Sequence, residues 1–156
     1  MSFGVKSLFT SIPLQLALDC TENAIKNSTV ELPLPTDDIM DLLNLCLTST
    51  YFQYNGKHYK QLHGTAMGSP VSVIVAEIVM QNIEEQALAT YRRTVPLWLR
   101  YVDITFEAFT AVHKDGIDDF HEHLNRQNAD IQFTKEIEEN GEIPFLDCLV
   151  TRDTTN

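Results

Sequence analysis

The chain has 156 residues, 44% of them hydrophobic, which suits one compact domain with a sizeable core and argues against a disordered tail. Its 22 acidic against 11 basic side chains leave a net charge of −11, the wrong sign for gripping a phosphate backbone with the whole surface, so any nucleic-acid contact must be local. Cys20, Cys46 and Cys148 are odd in number and far apart, which speaks against a disulfide framework or a zinc ribbon and fits a reducing compartment.

Phe3, Val5 and Ser7 alternate with Gly4 and Lys6, which predicts a short strand broken by a turn around Ser11 to Pro13. Leu14 to Lys26 carries Leu16, Ala17, Cys20, Ala24 and Ile25 near helical spacing. After Pro33 and Pro35, Thr36 is expected to cap a second helix, with a broad apolar face from Ile39 to Leu47. Both read as packing helices. Tyr51 to Tyr54 and His58 to Leu62 flank Asn55-Gly56, a strong hairpin signal because Asn-Gly supplies the positive φ angles of a tight turn.

Gly64 and Gly68 bracket a loop, and Ser69-Pro70 looks like an N-cap followed by proline at the first helical position of a helix reaching about Thr90. Its first three turns, Val71 to Met80, are apolar nearly all round and predict central burial. That run is far shorter than the ~20 residues a bilayer span needs, and it contains Glu77, so no membrane partner is expected. The N-terminus lacks the pattern of a signal peptide. The expected location is intracellular, nucleus or cytoplasm, and not secreted.

Val95 to Tyr101 and Thr105 to Val112 are rich in β-formers around Val102-Asp103-Ile104 and read as a second hairpin. Asp115 to Arg126 reads as a polar helix, on which His121 and His123 lack the i, i+4 spacing of a metal pair and receive no role. Ile131 to Ile137 and Ile143 to Val150 read as strands separated by Asn140-Gly141. The acidic residues, densest from Asp118 to Glu142, read as a solvated surface. One α+β domain over residues 1–150, with a frayed tail at 151–156, is the simplest organisation.

Ser2-Phe3-Gly4-Val5-Lys6-Ser7-Leu8-Phe9-Thr10-Ser11-Ile12-Pro13, Gln61-Leu62-His63-Gly64-Thr65-Ala66-Met67-Gly68-Ser69-Pro70 and Arg100-Tyr101-Val102-Asp103-Ile104 follow one another in this order. They resemble motifs A, B and C of the reverse transcriptase, or RNA-directed DNA polymerase, of Penelope-like retroelements. Ile131 to Glu136 and Ile143-Pro144-Phe145-Leu146-Asp147 resemble the motif D and E region. Each segment alone is weak, since a glycine loop can be an ordinary turn into a helix; their order carries the assignment.

The resemblance implies a palm-type antiparallel sheet, ferredoxin-like or RRM-like, packed on helices, and DNA synthesis on an RNA template. Its partners would be RNA template, DNA primer and deoxynucleotide triphosphate, with Mg²⁺ as cofactor. Magnesium takes oxygen ligands, which the family supplies from one motif A and two motif C aspartates. Here Gly4 and Ile104 stand at two of those positions, so Asp103 is the remaining catalytic and metal-binding carboxylate, and binding is expected to be weak. Glu107 is too distant along the strand to substitute well.

Phe9 matches the aromatic that selects deoxynucleotides, and it reads equally as a core side chain. Gln61, Gly64, Gly68 and Ser69 would contact nucleotide and template, or simply form a loop and an N-cap. Lys135 resembles a proposed general acid in motif D and, beside Glu136 and Glu138, reads equally as a surface charge. Lys57, Lys60, Arg92, Arg93 and Arg100 are candidates for phosphate contacts. The family's basic fingers and its thumb are missing from these 156 residues, and a protein partner is a further expectation. The alternative is a non-enzymatic module binding protein or RNA.

Overall fold

The computed structural model describes residues 1–108 and 114–152. The end of the strand predicted to reach Val112 and the tail from residue 153 lie outside the described residues. In chain order the elements are β1 (Ser2–Val5), α1 (Leu8–Ser11), α2 (Leu14–Asn27), α3 (Thr36–Thr48), β2 (Tyr51–Tyr54), β3 (Lys57–Lys60), α4 (Pro70–Thr90), β4 (Leu97–Tyr101), β5 (Ile104–Ala108), α5 (Lys114–Gln127), β6 (Phe133–Glu136), β7 (Glu142–Phe145) and β8 (Cys148–Thr151). They fall into two compact units, one of residues 1–6 with 84–156 and one of residues 7–83.

The first unit is built on a four-stranded antiparallel sheet in the order β4-β5-β1-β6. Register divides its side chains between two faces, because directly opposed residues point the same way. Phe3, Val5, Trp98, Arg100, Thr105, Glu107, Phe133 and Lys135 share one face. This face packs on α5: the Phe3 ring lies 6.1 Å from Trp98, 5.9 Å from Phe120 and 5.9 Å from His121, and Phe120 and Leu124 are fully buried. The helix expected to be polar therefore carries an apolar stripe, which turns a polar sequence into one side of a core.

His121 and His123 serve this packing, bonded through Nε2 to the carbonyls of Phe133 (2.6 Å) and Ala87 (2.9 Å). Ser2, Gly4, Leu97, Leu99, Tyr101, Ile104, Phe106, Thr134 and Glu136 form the other face. Phe145 from the β7–β8 hairpin reaches it, 5.3 Å from Phe106.

The single strand predicted from Ile143 to Val150 is in fact that hairpin, turning at Leu146, whose φ of 54° no local composition signals. Likewise β1 stops at Val5, because Ser7 takes a left-handed φ of 53° and opens the short α1 ahead of the turn expected around Ser11 to Pro13.

In the second unit, α2 matches the predicted helix and α3 starts at Thr36, but Pro35 holds the cap position and no side chain caps the helix. The apolar face of α3 is largely open: Leu47 is buried, while Leu42 and Leu45 are 53% and 60% exposed. The α4 stretch is buried along one side through Val75, Ala76, Val79 and Met80, whereas Val73 and Ile74 are exposed, so central burial is corrected to one face. Asn55 (φ 49°) and Gly56 (φ 72°) close the β2–β3 hairpin as a two-residue turn of the primed type. No helix among the described residues is long and apolar enough to cross a membrane.

Candidate active site

The β4–β5 turn consists of Val102 and Asp103, enclosed by the Tyr101–Ile104 pair. Val102 has φ 56°, a costly position for a β-branched residue and one that tends to mark functional turns. The turn lies against β1: the Val5 amide donates to the Asp103 carbonyl at 2.8 Å, and Gly4 is the direct cross-strand partner of Ile104. On its other side Gly4 pairs with Thr134, whose hydroxyl donates to the Gly4 carbonyl at 3.0 Å. Positions 4, 103 and 104, far apart in sequence, thus converge at one end of the sheet, on a central strand and the tip of its neighbour.

The donor set at this point is thin. Asp103 is half-buried and carries a carboxylate; Gly4 has no side chain and Ile104 no donor atom. Among the described residues no three or more His, Cys, Asp or Glu side chains cluster to hold a metal ion. These residues do not fit a pair of hard divalent cations, which demand several oxygen ligands. Space is not the obstacle: a Cβ built on Gly4 meets only the Thr134 hydroxyl oxygen, at 3.4 Å, an ordinary contact.

Glu107 and Lys135 lie on the face opposite Gly4. Glu107 projects to the face packed on α5, opposite Trp98, is fully buried, and neither carboxylate oxygen has a partner among the described residues. Burial pushes its carboxyl up to about 8, against the opposing pull of the Met1 ammonium. Lys135 sits on that same face, opposite Phe3, and pairs with Asp118; Thr134, its neighbour, is the residue that faces Gly4.

Glu84, which the sequence reading did not single out, forms a nearly buried ion pair with Arg100 at 2.8 Å, the side chains 10% and 9% exposed. Arg100 also donates to the Val102 carbonyl at 3.1 Å, tying the strained turn to α4. Its guanidinium is thus committed to a structural task instead of a phosphate. Arg92 is likewise paired, with Asp119 at 2.9 Å.

Phe9, Gln61, Gly64, Gly68 and Ser69 belong to the other unit. There the Thr65 amide donates to the Phe9 carbonyl at 2.6 Å and the Thr65 hydroxyl to the same oxygen at 3.1 Å, clasping the loop to α1. Gly64 makes that approach possible: its φ is 72°, and a Cβ there would lie 2.4 Å from the Thr10 Cα. Gln61 holds the loop from inside, donating to the carbonyls of His63 (2.7 Å) and Thr65 (3.3 Å). Gly68, at φ 89°, faces open space, and the Ser69 carbonyl accepts the Val73 amide at 3.3 Å as α4 begins.

No protein-family model matches the sequence, and a comparison with curated proteins returns no match. Among solved structures, a truncated apo telomerase from Candida tropicalis aligns with 96% of this chain at a TM-score of 0.66 and 14% identity. The aligned region is 33% of that telomerase, so the chain spans about a third of its length. At this identity the likeness speaks for the fold alone: the chain is an α+β structure, its antiparallel sheet packed on helices, that shares its fold with that part of the telomerase.

Proposed function

We propose that this chain is the palm of a reverse transcriptase of the Penelope-like type in which nucleotidyl transfer is impaired or lost. The observation that carries the reading is the register of β1 against β5, which sets Gly4 opposite Ile104 beside the Asp103 turn. Those are the positions at which the resemblance expects metal-binding aspartates. Directly opposed residues have Cβ atoms about 5 Å apart, so two aspartates there, with Asp103, would form a compact oxygen site. As the sequence stands, Mg²⁺ would be held weakly by Asp103 alone. RNA template, DNA primer and deoxynucleotide triphosphate are the substrates this reading implies.

Phe9 and the Gly64–Ser69 loop would serve the incoming nucleotide, and Gly68, with open space around it, is the glycine best placed for close approach of a ligand. Lys135 is a poor general acid on this reading, since Asp118 holds it on the other face from Gly4. Primer extension on an RNA template with Mg²⁺ or Mn²⁺ tests the proposal. The expected result is little or no incorporation, and gain of incorporation in Gly4→Asp/Ile104→Asp. Robust incorporation by the unaltered chain that vanishes in Asp103→Ala would overturn the impairment.

A further inference from the structure

No Asp or Glu stands between Asp41 and Glu77, although the chain holds 22 of them. Within this acid-free stretch lies the β2–β3 hairpin, whose eight strand residues are all exposed. Its aromatic side chains are not core: Tyr51 is 67%, Phe52 53%, Tyr54 71% and Tyr59 42% exposed. Register places Phe52, Tyr54, Lys57 and Tyr59 on one face and Tyr51, Gln53, His58 and Lys60 on the other. The Phe52 and Tyr59 rings stack at 5.4 Å with planes 18° apart, and the Lys60 ammonium stands 6.0 Å from the centre of the Tyr51 ring.

An isolated two-stranded hairpin gains little from burial, and four exposed aromatics are costly in water. The combination of open ring faces, flanking lysines and absent acids matches the chemistry of an unpaired polynucleotide. Every base offers a π-face for stacking, and the phosphates beside it need cations and no repelling carboxylate. A purely apolar protein partner would be served by the rings, but it would leave the exclusion of acids from this stretch of an acidic chain without a reason.

We propose that the β2–β3 hairpin is a stacking platform for a single-stranded segment of nucleic acid. Phe52, Tyr54 and Tyr59 receive bases on one face; Lys57 contacts a phosphate on that face, and Lys60, on the other, contacts a phosphate where the strand passes over the hairpin's edge. Binding of this kind needs no metal and no polymerase activity, so it goes beyond the palm reading and stands or falls separately from it.

The test is fluorescence anisotropy of a labelled short oligouridylate with the whole chain, in EDTA at about 50 mM salt. The expected result is saturable binding that weakens with salt at a log–log slope of about −1.4, as for two phosphates neutralised on a single strand. Tyr54→Ala should weaken it at least about fivefold, the lower end for one lost stacked base. Lys57→Gln should flatten the slope by about 0.7, Arg126→Gln, which removes only an exposed pair with Glu122 on α5, should bind like the unaltered chain, and a duplex of equal length should compete poorly. Tyr54 and Lys57 are exposed, so these variants keep the fold, which circular dichroism verifies.

Absence of saturable binding, or unchanged affinity in both Tyr54→Ala and Phe52→Ala, would overturn the proposal. So would self-association that Tyr54→Ala abolishes while oligonucleotide affinity stays nil, since that identifies the hairpin as an interface between copies.

Discussion

At the scale of single residues, Glu107 and Val102 are held against their own preferences, and Gly64 stands where only glycine fits. Glu107 is a fully buried acid whose carboxylate oxygens have no hydrogen-bond partner among the described residues, and its folded-state value of about 8 lies well above the ordinary 4.5. The unfolded chain therefore releases its proton from about pH 4.5 upward while the folded chain keeps it until about 8. Stability falls across that window and levels off above it, by on the order of 3–5 kcal/mol in total. Glu107→Gln, which keeps the shape without the ionisation, should lose this slope and exceed the unaltered chain in urea midpoint at pH 8; parallel midpoints at pH 5 and pH 8 would refute it. Gly64 is constrained twice, by its φ and by the Thr10 backbone, so Gly64→Ala should cost about 3 kcal/mol or more in urea unfolding. Val102 bears the opposite burden, a branched side chain at φ 56°. Val102→Gly should stabilise by about 1 kcal/mol through relief of that strain, unless the added freedom of the unfolded chain offsets it.

At the scale of elements, α5 and the sheet meet through aromatic rings, with Phe120 against Phe3 (5.9 Å), Tyr91 (4.6 Å) and Trp98 (5.6 Å). Phe120→Ala leaves a void that these rings cannot close, and a loss of about 3–5 kcal/mol in unfolding free energy is expected. The turns written in local chemistry were legible beforehand: Asn55-Gly56 gave the first hairpin, and Ser69-Pro70 gave the start of α4. The turns made by ordinary residues were not. Nothing in Ser7 or Leu146 announces a positive φ, so local composition extends β1 too far and merges the β7–β8 hairpin into one strand. Face assignment failed for a related reason. Alternation says that Lys135 and Glu107 share a side with some neighbours, but only pairing across strands tells which side carries α5, and both proved to be on it. Glu84 carries no such signal, since it stands among Gln81, Asn82, Glu85 and Gln86 in the polar half of α4, and its partner Arg100 lies sixteen residues further on and is fixed by the fold alone.

At the scale of the whole molecule, the motif order proved a better guide than any single motif, because it required residues 4 and 104 to be neighbours and the sheet order makes them so. Their identities then have a consequence for the entire chain. A net charge of −11 already opposes compaction, and Gly4→Asp/Ile104→Asp adds two carboxylates next to Asp103 without taking any away. In EDTA the double variant should therefore unfold at a lower temperature than the unaltered chain. Like charges confined at a sheet end have no compensating cation, and Ile104 surrenders apolar contact as well. With millimolar Mn²⁺ the order should narrow or reverse, since a ligand that binds only the folded state stabilises it by about 2.7 kcal/mol when present at a hundred times its dissociation constant. The unaltered chain should hardly respond, having one carboxylate to offer. Thermal unfolding of both proteins with and without Mn²⁺ reads this out with no primer or template needed. If the ion shifts both proteins equally, positions 4, 103 and 104 do not make a metal site even when armed, and the proposal that this chain has lost metal ligands fails.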